Sequence, residues 1–212
     1  MRVLVACEFS GTVAQAFRDR GHDAWSCDLL PSLLCKNTDH VDGAGDCCGH
    51  YIGDVSALLV PAAWDLMIAH PPCTYLSVSG MHRTVRGLRS PTLTEDALAF
   101  VRLLLDAPIR RIALENPVGV ISSRIRRPEQ IIQPYDFGHD ASKKTCLWLK
   151  GLPPLWPTSY IAPRRTADGK NRWANQTDSG QNRLPPTADR WALRSITYAG
   201  IARAMADQWG DL

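Results

Sequence analysis

Two short segments of this chain carry side chains with chemistry in them. In HPPCTYLSVSG, His70 to Gly80, a cysteine follows two prolines. Proline fixes its own backbone angle, so Cys73 is expected on a stiff, exposed turn, which suits a nucleophile that must meet a substrate from one direction. In ENPVG, Glu115 to Gly119, a carboxylic acid and an amide, Asn116, stand side by side. A carboxylic acid in a partly dry site can be kept protonated and give its proton to a ring nitrogen while a thiolate attacks the ring. The plainer alternatives are a small buried thiol at Cys73 and an ion pair between Glu115 and a nearby arginine.

These residues need strands behind them. The apolar stretch WDLMIAH, Trp64 to His70, predicts a buried strand that Pro71 and Pro72 must end, which puts Cys73 just past its C-terminal end. RIALE, Arg111 to Glu115, predicts a second strand with Glu115 at the same kind of end. Between them, Leu93 to Asp106 has helical spacing, with Leu98, Val101, Leu104 and Leu105 on related faces and Thr94 at its opening. One crossover helix joining two parallel strands brings Cys73 and Glu115 to one sheet edge, the edge where ligands bind in open α/β sheets.

The start of the chain predicts a βαβ unit. VLVA reads as a strand, Ser10-Gly11 as a break, Val13, Ala14 and Phe17 as one helix face, Gly21 as a stop, and HDAWSC as a second strand ending at Asp28. An acid about twenty residues beyond the first turn is where such units bind a ribose. Leu29 to Gly53 reads as a long loop before a strand near Tyr51-Ile52; further strands are expected at Ile131 to Gln133 and Cys146 to Leu149, and TYAGIARAMADQW predicts a closing helix. The pattern is α/β, a Rossmann-like doubly wound and mostly parallel sheet.

With 212 residues the chain is one ordinary α/β domain with a small appendage. No apolar run is long enough to span a membrane, and MRVLVACEF lacks the features of a secretory signal, so a cytoplasmic protein is expected. Seven cysteines in a chain of this size read as mostly reduced thiols. The net charge of +3 is unevenly spread: Arg110 to Arg194 holds fifteen basic against seven acidic residues, and the remainder nine against fourteen. A basic second half can steer phosphates toward a site whose other half carries carboxylates. Residues 151–193 are basic, proline-rich and almost free of aliphatic side chains, which predicts an irregular loop. In it Trp173, amid Arg164, Arg165, Lys170 and Arg172, is a candidate to stack on a base while the arginines take phosphates; a solvated surface loop is the alternative. Cys35, Cys47, Cys48 and His50 are metal-capable ligands, but the CxxC spacing of zinc sites is missing and no metal is expected.

In these segments the sequence resembles the DNA (cytosine-5) methyltransferases, which pair a Pro-Cys motif with a Glu-Asn motif in this order, and more closely the small phage-type members of that family. VLVACEFSGTVAQAFRDRGHDAWSCDL is similar to their first cofactor-binding motif, Gly53-Asp54-Val55 to the third, His70 to Gly80 to the nucleophile loop, Glu115-Asn116 to the glutamate motif, and Tyr198 to Gly200 to the last motif. Cys7 and Glu8 stand where small residues are usual, Thr74 follows the cysteine where the family has glutamine, and Pro117 follows Asn116 where it has valine. The resemblance implies the class I methyltransferase fold, S-adenosyl-L-methionine as cofactor, DNA, duplex or single-stranded, as partner, and methyl transfer to carbon 5 of cytosine. It implies that Cys73 adds to carbon 6 while Glu115, with Asn116 beside it, holds the ring. Asp28 would bind ribose hydroxyls and Asp54 the adenine amine, Phe9 would stack on adenine, and Ser10, Gly11, Pro72 and Tyr198 would complete the cofactor pocket. Lys143 and Lys144 are the nearest counterparts of the arginine-rich motif that buttresses the base. Residues 1–150 and 194–212 would form the catalytic domain, and 151–193 a reduced target-recognition segment, with short or relaxed specificity.

Two other readings stay open. HPPCTY also resembles the (D/N/S)-P-P-aromatic motif of amino-methyltransferases, with His70 in the polar position and Cys73 in the aromatic one; a free cytosine nucleotide is another possible acceptor. A methyltransferase fold that binds nucleic acid without catalysis is the non-enzymatic alternative.

Overall fold

Alternating side chains on short apolar strands can feed two helical layers at once, because successive residues of a strand point to opposite faces. The computed structural model describes residues 1–34 and 49–212. In β1 (Arg2–Ala6), Val3 and Val5 enter one core while Leu4 and Ala6 enter the other. β4 (Leu66–Ala69) divides the same way, Leu66 and Ile68 against Met67 and Ala69. The first core is closed by α1 (Thr12–Arg18) and α6 (Ala199–Trp209), and the second by α3 (Thr92–Leu105), whose Leu98, Val101 and Leu104 face the sheet.

The remaining strands of the main sheet are β2 (Asp23–Asp28), β3 (His50–Ile52), β5 (Arg111–Pro117), β6 (Gln130–Ile132) and β7 (Thr145–Lys150), and the order across the sheet is β3-β2-β1-β4-β5-β7-β6. All pairs are parallel except those of β7, which lies antiparallel between β5 and β6. This is the doubly wound Rossmann-like sheet expected from the sequence, with its order reversing between β1 and β4, where such folds open a crevice at the carboxyl ends of the strands.

The structure adds elements that the periodicity hid. The helix α2 (Val78–Val85) follows the cysteine loop, opened by Ser77, whose Oγ accepts from Gly80 N at 3.2 Å. It buries none of its residues, although Val78, Met81 and Val85 lie at helical spacing; the stripe is only eight residues long and in the sequence reads as part of the cysteine loop. Two further short helices, α4 (Ile121–Arg124) and α5 (Arg190–Ser195), were likewise not expected. α3 opens at Pro91, and Thr94, expected at its start, is buried within it. β5 runs past Glu115 to Pro117, because Asn116 and Pro117 pair with Cys146 and Thr145 of β7. Residues 151–193 hold a small hairpin of β8 (Arg164–Arg165) and β9 (Asn171–Arg172), and Leu155 of this stretch reaches the first core. Cys35, Cys47 and Cys48 lie outside the described residues. His50 has both ring nitrogens occupied, Nδ1 with Ser26 Oγ at 2.8 Å and Nε2 with Leu30 O at 2.9 Å. Among the described residues no helix is long and apolar enough to cross a membrane.

Trp209 ends α6 fully buried, and its indole Nε1 donates to Pro153 O at 3.0 Å. Trp209→Ala is expected to cost about 3–5 kcal/mol, through the cavity it leaves and the carbonyl it strands. Denaturant unfolding followed by circular dichroism measures this; a loss below about 1 kcal/mol would contradict the packing described.

Candidate active site

The register of β4 on β5 pairs Ala69 with Leu114, so the next residues along, His70 and Glu115, stand side by side past the last rung. His70 Nδ1 lies 2.9 Å from Glu115 Oε2, and one step further Asn116 Nδ2 donates to Pro71 O at 2.7 Å. Two cross-braces therefore tie the cysteine loop to the neighbouring strand. From Pro72 the chain turns into a single 3-10 turn, Cys73–Tyr75, with Leu76 N and Ser77 N both donating to Cys73 O. The Cys73 side chain is left exposed.

The glycines that close the two motifs are steric requirements. A Cβ on Gly80 would lie 2.1 Å from Thr74 O, and one on Gly119 would lie 2.0 Å from Leu76 O. Any side chain there would push the cysteine loop off α2 and off the turn after β5. That turn also holds the loop by backbone bonds, Val120 N to Leu76 O at 2.8 Å and Val78 N to Val118 O at 3.2 Å.

Charge is distributed unequally around this pair. Burial pushes Glu115 up, but the hydrogen bond from His70 and the positive charge of Lys143 outweigh it, with a smaller share from Thr145, and its carboxyl titrates below its ordinary value. In the free chain the Glu115 carboxyl therefore gives up its proton more readily than an ordinary glutamate does. The Cys73 thiol moves the other way: the crowding of its sulfur and the Glu115 charge push it up, against a downward pull from Lys143 and Arg194. Lys143 Nζ donates to Arg194 O at 2.9 Å, so the Lys143 ammonium is tied to the main chain at Arg194 beside the site.

At the ends of β1, β2 and β3 the expected cofactor residues have separate surroundings. Glu8, 4% exposed, accepts from Val13 N at 2.7 Å, Ala14 N at 3.1 Å and Ser10 Oγ at 3.1 Å. Its carboxylate fills the N-terminus of α1, the place where dinucleotide folds bind phosphate. Cys7, with φ of 59°, and Gly11, with φ of 69°, are left-handed residues of the same turn. Asp28 closes β2 and Asp54 follows β3; each takes a local amide, Leu30 N at 3.0 Å and Ser56 N at 2.9 Å. Both charges, together with burial as the larger cause, drive the Cys7 thiol up to about 12. Asp28 and Asp54 therefore face one region beside the β1–α1 turn, and Cys7 there is an inert thiol. Phe9 is buried, its ring tilted 47° against Trp191 at 5.8 Å. Pro72 is exposed on the cysteine loop. Tyr198 opens α6, half-buried, its ring 5.1 Å from that of His139.

The basic residues expected to meet a substrate fall into different settings. Lys143 is half-buried near Glu115 and Cys73, and Lys144 is exposed. Arg164 is engaged by Asp178 at 2.6 Å and Gln176 O at 3.0 Å, and Arg165, exposed, reaches Gly169 O at 3.3 Å. Trp173 lies flat on Tyr135, centroids 4.1 Å apart and planes within 9°, with its indole N–H given to Ile161 O at 3.1 Å. One face of this ring is already used, so Trp173 anchors the 151–193 segment to the body, a correction to its reading as an open base platform. Sequence reasoning missed three residues near the site: His70 as partner of Glu115, Arg194 beside Cys73, and Trp191 on Phe9. Only His70 left a signal, its place one residue past a strand end.

No protein-family model matches this chain, and no curated protein matches it. Among solved structures it is similar to a prophage-encoded protein of E. coli that bears a provisional assignment as a DNA modification methyltransferase. The two share 15% identity with a TM-score of 0.45, over 76% of this chain and 52% of the other. The chain thus spans about half the length of that protein.

Proposed function

We propose that this protein transfers a methyl group from S-adenosyl-L-methionine to carbon 5 of cytosine in DNA, through a covalent adduct on Cys73. One observation carries the reading: an exposed cysteine and a half-buried carboxylate stand at the ends of adjacent parallel strands, close enough for the Glu115 charge to act on the Cys73 thiol. Carbon 5 of cytosine is a weak nucleophile. The Cys73 sulfur, once ionised, adds to carbon 6 and loads electron density onto carbon 5 and ring nitrogen N3. Glu115 accepts from the exocyclic amine and, having taken up a proton with the substrate, gives it to N3 as negative charge develops there; carbon 5 then bonds the methyl and gives up its proton to water, and the Cys73 sulfur leaves carbon 6. Asn116, through Pro71, fixes the loop that aims the sulfur.

The cofactor reading rests on the acidic end of β1–β3. Glu8 across the α1 N-terminus and the Asp28 and Asp54 carboxylates repel a phosphate and suit a nucleoside that brings hydroxyls, an amine and a positive charge. Bound there, S-adenosyl-L-methionine supplies an electrophilic methyl. In this reading Asp28 holds its ribose, Asp54 its adenine amine, Phe9 one ring face, and the Ser10-Gly11 turn, Pro72 and Tyr198 the rest. Lys143, Lys144, Arg164 and Arg165 would meet DNA phosphates, with residues 151–193 as a reduced recognition segment.

The test is incubation of the purified protein with labelled S-adenosyl-L-methionine and DNA, followed by mass spectrometry of the nucleosides. The expected product is 5-methylcytosine. An N-methylated base would replace the cysteine mechanism with amine methylation, and no transfer with no cofactor binding would leave a scaffold.

A further inference from the structure

His70 is a titratable group at the site for which the proposed reaction has no role. We propose that it is a positioning residue whose Nδ1–H clamps the Glu115 carboxylate in one orientation beside Cys73. This rests on the function proposed above. A glutamate has three side-chain torsions, and a carboxylate that changes rotamer cannot meet a substrate amine at a fixed angle. The 2.9 Å contact takes Oε2, and the His70 side chain, 9% exposed, has little room to swing away. The main chain under the imidazole is fixed as well, since the His70 backbone N donates to Ala6 O at 2.9 Å across the sheet. The groups facing Glu115 are His70 just past β4, Cys73 from the turn, Lys143 ahead of β7, and Thr145 and Cys146 on β7. Lys143 acts through space, its Nζ committed to Arg194 O, whereas His70 meets the carboxylate directly at 2.9 Å. A second observation marks the imidazole as part of a ligand site: its Nε2 is buried and has no hydrogen-bond partner. Native structures seldom leave such an atom orphaned, and a bound substrate or an ordered water would satisfy it.

The experiment compares His70→Ala, His70→Gln and His70→Asn with the full-length wild type. Isotope-edited infrared spectroscopy reads the Glu115 carboxyl, assigned by its loss in Glu115→Gln, and DNA containing 5-fluorocytosine reads adduct formation. In His70→Ala and His70→Gln, which lack a donor at the Nδ1 position, Glu115 is expected to titrate at higher pH than in wild type. Adduct formation should slow about 100-fold, with S-adenosyl-L-methionine affinity unchanged. His70→Asn, whose amide N–H falls near the Nδ1 place, should restore most of both. An unchanged Glu115 titration in both donor-less variants overturns the clamp. A wild type that forms no adduct, with the Glu115 shift intact, sinks the cysteine mechanism and leaves the clamp standing.

Discussion

Cys73→Ser is expected to form no covalent adduct with DNA containing 5-fluorocytosine and to lose methyl transfer by at least about 10⁴-fold, because a serine hydroxyl at neutral pH is far less ionised than a thiol. The side chain is exposed on a turn held by backbone bonds, so the substitution should leave folding and cofactor affinity as they are. The pH profile of the wild type carries the same information. The reactive form is the thiolate, and the Cys73 thiol is raised above its ordinary value of 9.0 by crowding and by Glu115. Below its pKa each pH unit raises the thiolate fraction tenfold, so adduct formation should climb through neutrality and level off only at alkaline pH. Single-turnover trapping from pH 6 to 10 measures this; a flat profile, or equal trapping by the serine variant, would remove Cys73 from the reaction.

Glu115→Gln carries the second large effect. The amide keeps the shape of the carboxyl but has half its acceptors and no acidic proton to give N3, and methyl transfer should fall about 10²- to 10³-fold. The same change removes a cause that holds the Cys73 thiol up, so what activity remains should reach its plateau at lower pH than in wild type. A merely structural Glu115 would leave that pH profile in place. Stability changes in a defined direction too. The folded carboxyl titrates below its ordinary 4.5, so its contribution is fully present above that value and is lost as pH falls through the folded pKa. The acid limb of the unfolding curve should therefore flatten in the variant, measured by thermal melts between pH 3 and 6.

What the sequence determined by itself was the architecture and the two reactive strand ends. Runs such as VLVA and WDLMIA are buried on both faces, and a proline pair after such a run can only end it, so the place of Cys73 follows from local rules. The crossover helix then brings Glu115 to the same edge whatever the details of packing. The short helices α2 and α5 were illegible because neither has a buried residue and each is only about two turns long, too short for its periodicity to stand out from a loop. The ionisation of Glu115 was illegible for a different reason. A carboxylate near the end of a strand can be neutral or charged, and its partner lies forty-five positions away in sequence. Register decides that they meet, and register is set by every rung of the sheet together. The same holds for Trp173: composition marks it as a stacking ring, but only the tertiary structure supplies Tyr135 as what it stacks on.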